Sequence, residues 1–83
     1  MPLYHFDFQD GSTPHVDEDG IDLSDLRAAR TEAVRYAGEL LQGQPEQFWA
    51  AAEWSLTVSD AERLTLFSLT IIATDAPVIG SRD

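Results

Sequence analysis

The chain has 83 residues, a formal net charge of −10, five arginines, no lysine and no cysteine. Nucleic-acid binding requires a cationic face that releases counterions, so this balance speaks against DNA, RNA and anionic membranes and favours a partner with a basic surface. Without cysteine there is no disulfide framework, thiolate metal site or cysteine nucleophile, and the length suits one domain with one modest core.

The opening "MPLYHFDFQDG" has neither a basic n-region nor an apolar h-region, so no signal peptide is expected, and no apolar run approaches the ~18 residues that span a bilayer. A cytoplasmic location is the expectation. Tyr4, His5, Phe6, Asp7 and Phe8 alternate aromatic and polar residues, the period of a strand. Asp10-Gly11 marks a turn, and "TPHVD" is a candidate second strand that Pro14 confines to a sheet edge. A three-residue loop, Asp10-Gly11-Ser12, pairs Phe6 with Val16, Asp7 with His15 and His5 with Asp17. A two-residue loop, Asp10-Gly11, sets Phe6 against His15, a poorer match, so the first register is preferred.

Next comes an acidic segment, "HVDEDGIDLSDLRAAR", ending in the clearest element of the chain. Ser24 is the expected N-cap, with Asp25 favourable in the first turn. Leu26, Ala29, Ala33, Ala37 and Leu40 recur at spacings of three and four, which predicts a helix over 25–42 that stops at Gly43. Its small alanines allow close approach to a sheet. "QPEQFWAAA" reads as either a helical turn or a loop tucking Phe48 or Trp49 under the core. "EWSLTVS" places Trp54, Leu56 and Val58 on one strand face, "DAER" makes a turn, and "LTLFSLTIIA" is the most β-prone run. In that run Leu64 and Leu66 fall on one face and Phe67, Leu69 and Ile71 on the other. Such a strand is either covered twice or carries a bulge.

The expected architecture is α+β, in the order β-β-α-β-β: an antiparallel sheet with one main helix packed on one face. Residues 1–76 form the single domain and 77–83 a frayed tail. One helix covers one face only, so either the loop around Phe48 and Trp49 or a second copy covers the rest; Phe67, Leu69 and Ile71 are interface candidates and a homodimer is expected.

Three candidate sites arise. Aligning Gly20 with the glycine of an EF-hand loop puts Asp17 and Asp19 at its third and fifth positions. His15 then stands where the first aspartate belongs and Leu26 where the closing glutamate belongs, so the segment reads as a turn and helix start. The preferred hairpin register gathers His5, Asp7, His15 and Asp17 on one face, a candidate set of zinc-type ligands beside the plainer reading of an exposed ion-pair ladder. Arg27, Arg30 and Arg35 line the helix, either as a solvated face partly neutralised by Glu32 and Glu39 or as a partner-contact face. No nucleophile elbow or phosphate-cradling glycine loop is present, so catalysis and a bound cofactor are not expected.

Two blocks resemble a known family. "YHFDFQDG…DEDGIDLSDLRAARTEA" and "WSLTVSDAERLTLFSLTI" are similar to a small bacterial family of uncharacterised domains. Its members run "Y-F-F-D", then "D-x-x-G-x-x-L-x-D-L-x-x-A-R-x-E-A", then "W-x-L-x-V-x-D". Asp17 to Gly20, Leu23, Asp25, Leu26, Ala29, Arg30, Glu32 and Ala33 match, whereas "DAER" stands where the family tends to carry glycine. The resemblance implies a fold and no activity. A more distant likeness, to HicB-type antitoxin domains, implies an acidic partner of a basic toxin, although the proline-aspartate-x-x-glycine-cysteine segment of that family is missing. The functional expectation is a small acidic, non-catalytic interaction domain, with a metal- or small-ligand-binding protein as the alternative.

Overall fold

A computed structural model describes residues 1–77 of the chain. Its elements are β1 (Leu3–Asp10), β2 (Thr13–His15), β3 (Ile21–Asp22), α1 (Leu26–Gly43), α2 (Pro45–Ala51), β4 (Glu53–Ser59) and β5 (Thr65–Ile72). The fold is α+β, an antiparallel five-stranded sheet with one main helix. The strands lie in the order β2-β1-β4-β5, and β3 pairs with the start of β1 on the same side as β2. Two elements go beyond the expected order: the two-residue β3 and the short α2. The expected tail lies, from Val78 onward, outside the described residues.

The core forms where the alanine stripe meets the aromatic strand. Ala29, Ala33 and Ala37 are buried on α1, and Tyr4, Phe6, Phe8, Trp54, Leu56 and Val58 are buried on the sheet face beneath them. Side chains no longer than a methyl group let the helix backbone approach the sheet, and the rings fill the space between. Phe48 on α2 extends this layer, edge-to-face with Trp54, while Trp49 points outward at 61% exposure.

The helix boundaries differ slightly from expectation. Asp25, not Ser24, is the N-cap: its Oδ1 accepts from the Ala28 amide at 2.8 Å. Both residue types cap well, and the helix begins one residue later than Ser24 allows. Gly43 is the last residue of α1, and Gln44 caps it with φ −139°. Pro45 then starts α2 at a position where no amide donor is needed.

Phe67, Leu69 and Ile71 do not form an uncovered row. They lie opposite Val58, Leu56 and Trp54 and pack, half-buried, against the chain's own core. The two-faced apolar pattern arises from a register shift at Val58/Ser59: Ser59 pairs with Thr65 and Val58 with Phe67, which leaves Leu66 as the extra residue.

Candidate functional site

The first hairpin takes neither of the registers weighed from sequence. Phe8 pairs with His15, Gln9 with Pro14 and Asp10 with Thr13, around a two-residue turn, Gly11-Ser12. Gly11 sits at φ +69°, the conformation glycine supplies at the first position of such a turn. Asp7 therefore does not face His15. His15 stacks on Phe8 with ring centroids 5.6 Å apart, and its Nε2 lies 3.0 Å from Asp10 Oδ2.

His5, Asp7 and Asp17 do come together, for a structural reason. β3 borders β1 at Leu3 and Tyr4, and β2 borders it at Phe8 to Asp10, so the outer edge of β1 is open between them. The Val16–Gly20 segment loops out there, and Asp17 fills the gap. Its Oδ2 accepts from the Phe6 amide and its Oδ1 from the Gly20 amide, each at 3.0 Å. Its own amide donates to Asp7 Oδ1 at 2.8 Å. Its carbonyl accepts from His5 Nδ1 at 2.8 Å and from Arg63 Nη2 at 2.9 Å. A carbonyl only accepts, so Nδ1 carries the proton in His5. Arg63 also grips Asp7 through Nη1 at 3.2 Å.

Sequence reasoning passed over Arg63. It stands at φ +67° in the "DAER" turn, where the resembling family tends to carry glycine. That turn is fixed by Asp60, whose Oδ1 accepts from the amides of Glu62 and Leu64. The guanidinium then ties the β4–β5 turn to the Asp17 loop across the sheet.

The carboxylate that an ion would need at Asp17 is thus engaged by backbone amides. Among the described residues, no group of three or more His, Cys, Asp or Glu is placed to hold a metal ion. Gly20 closes the loop at φ +76°, and a Cβ there would lie 3.0 Å from both the Leu3 side chain and the Tyr4 carbonyl oxygen. Gly20→Ala is expected to cost about 1–3 kcal/mol through backbone strain and that close approach, read from a chemical denaturation midpoint.

His5 and Ser59 face each other across β1 and β4, and both are buried. The Ser59 hydroxyl has no hydrogen-bond partner among the described residues, so the two form no nucleophile–base pair. Ser59→Ala removes a desolvated polar group at no cost in hydrogen bonding. It is expected to leave stability within about 0.5 kcal/mol of wild type or to raise it, by the same denaturation measurement.

Two further features concern recognition. A groove of about 380 Å³ runs between α1 and the β2–β3 segment, with Phe6, Val16, Ile21 and Tyr36 as apolar lining and His15 and Glu32 as polar lining. Of the arginine line, Arg27, Arg30 and Arg35 are all exposed. Arg35 binds Glu32 and, at 2.7 Å, Glu39. The hydrogen bond and charge of Glu32, then the charge of Glu39, hold its guanidinium above the usual arginine range, so it remains a cation.

The last feature is β5 itself. Among the described residues it pairs only with β4, so its far side presents unpaired backbone N–H and C=O groups over an eight-residue strand. "TLFSLTII" contains no charge, proline or glycine.

Residues 3–73 match the model of a family described as a domain of unknown function, DUF6894. No curated protein and no solved structure matches the chain, so the likeness to HicB-type antitoxins has no counterpart among these findings.

Proposed function

The chain belongs to this family of domains of unknown function, and we propose that it is a non-catalytic protein-interaction domain whose docking element is the free edge of β5. The single observation that carries this reading is the contrast between the two sheet edges. On the β1 side the edge is blunted: β2 and β3 are short, Pro14 lies in β2, and the Asp17 loop interrupts the ladder. These are the devices that keep a sheet from pairing with strangers. Among the described residues the β5 side has no proline and no interrupting loop; its one irregularity is the bulge at Leu66, and from Phe67 to Ile72 an added strand finds unpaired backbone groups. Charge then sorts the partners: an acidic chain is repelled except where the contact is uncharged, as β5 itself is. At −10 the chain repels nucleic acid and anionic membranes and steers basic proteins toward it.

A lysine-flanked peptide with the sequence of Thr65–Ile72 tests this. Titrated into the protein, it should shift the backbone amide resonances of β5 and leave those of β2 and β3 in place, and it should bind more tightly than a glutamate-flanked version. Unmoved β5 amides at saturating peptide would overturn the proposal.

A second reading, a small-ligand or metal binder, has the groove beside His15 and Asp17 as its observation. It makes a different prediction. On the interaction reading, zinc and calcium at millimolar concentration leave the thermal midpoint unchanged; a rise with either ion favours the ligand reading, because a ligand that binds only the folded chain stabilises it.

A further inference from the structure

Resting on the reading of β5 as the docking strand, we infer that its occupant is a second copy of this chain, paired antiparallel about a two-fold axis through Leu69. Two identical edge strands related by such an axis must place residues of the same face opposite each other, so only alternate registers are open. With the axis at Leu69, Phe67 faces Ile71 of the second copy, Ser68 faces Thr70, and Leu66 comes alongside Ile72. Each of these pairings occurs twice.

The exposure pattern suits this register. Leu66 is 38% exposed and Ile72 63% exposed in the single chain, and pairing brings each beside an apolar neighbour. Phe67, Leu69 and Ile71 are only half-covered by their own core, and self-pairing extends that layer across the seam. Moving the axis to Ser68 would set Leu66 against Thr70, and moving it to Thr70 would set Ser68 against Ile72. Both lose the pairing of Leu66 with Ile72, although the Ser68 axis keeps Phe67 against Leu69 and the Thr70 axis keeps Leu69 against Ile71.

Charge points to the same strand. A chain at −10 resists self-association wherever two acidic surfaces meet. The eight residues of β5 are uncharged, so here two copies can approach without like charges facing. The first charged residues beyond the strand are Arg63 on one side and Asp75 on the other. Arg63 lies in the β4–β5 turn with its guanidinium held by Asp7 and Asp17 of its own chain, so it brings no like charge to the seam.

The test uses the full chain. Sedimentation equilibrium should give a two-chain mass at high micromolar concentration and dissociation on dilution. In S68E/T70E each new glutamate at 68 faces one at 70, twice over. Both positions are exposed in the single chain, so its thermal melt at low concentration should match wild type while self-association weakens roughly tenfold or more. The chain has no cysteine, so S68C mixed with T70C should cross-link under mild oxidation more than either variant alone. A one-chain mass for wild type at every concentration overturns the self-pairing; if the lysine-flanked peptide still moves the β5 amides, the docking reading stands, and if it does not, both fall. A two-chain mass that survives S68E/T70E, or cross-linking no greater in the mixture than in the single variants, overturns the β5 seam.

Discussion

Trp54→Ala is expected to lower the unfolding free energy by about 3–5 kcal/mol, the range for removing a large buried aromatic. Trp54 is 1% exposed, and its ring stands edge-to-face with Phe8 at 5.0 Å and with Phe48 at 5.2 Å. It is where β1, β4 and α2 meet, so its loss opens a cavity that three elements border. A domain of this length has roughly 4–12 kcal/mol in total, so much of the population unfolds or becomes markedly sensitive to urea. Trp54→Phe keeps most of the ring contacts and removes the indole Nε1, which is buried without a partner among the described residues. It should therefore lose less than half as much. Urea unfolding of the three proteins decides the matter: an alanine variant within about 1 kcal/mol of wild type would show that this contact does not organise the core.

Asp17→Ala should cost about 2–4 kcal/mol, a large effect for a half-buried polar residue. The carboxylate is the acceptor for the Phe6 and Gly20 amides, and alanine leaves both donors without it. Hydrogen bonds to charged groups contribute about 1.5–3 kcal/mol each, and an orphaned buried donor carries its own desolvation penalty. Asp17→Asn should fall between, because an amide presents one acceptor oxygen where the carboxylate presents two. Asp7→Ala should cost less than Asp17→Ala, since Asp7 receives one backbone amide and an exposed arginine. The ordering Asp17→Ala, Asp17→Asn, wild type in denaturation midpoints carries the argument. An Asp17→Ala variant as stable as wild type would mean that water satisfies these amides equally well.

Much of the fold was legible because packing periodicity is written directly in residue type. The alternation of Tyr4, Phe6 and Phe8, the spacing of Ala29, Ala33 and Ala37, and the alternation of Trp54, Leu56 and Val58 each recur as one buried face. The hairpin register was not legible, because it depends on which two residues make the turn. Asp7 opposite His15 offers charge pairing, whereas the register is set by the Gly11-Ser12 turn and the stack of His15 on Phe8. A glycine followed by serine between two strand patterns was the available signal. The role of Asp17 rests on three segments meeting at one break in the edge, which no local pattern records. Arg63 was hidden for the same reason, since its partners lie more than forty residues earlier in the chain. The phase change in β5 pointed to a bulge or a second cover, and the register shift beside Ser59 supplies the bulge. With Phe67, Leu69 and Ile71 committed to the core, any second copy is expected at the strand's edge, not on its face.

Hydrogen exchange of the β5 backbone amides, followed across a range of protein concentration, tests the docking role of that edge most directly. The amides of Thr65–Ile72 that point away from β4 should exchange rapidly when the protein is dilute and become protected as concentration rises, with the S68E/T70E variant staying unprotected throughout. Outward β5 amides that exchange at one rate at every concentration, and equally fast with the lysine-flanked strand peptide present, would contradict it.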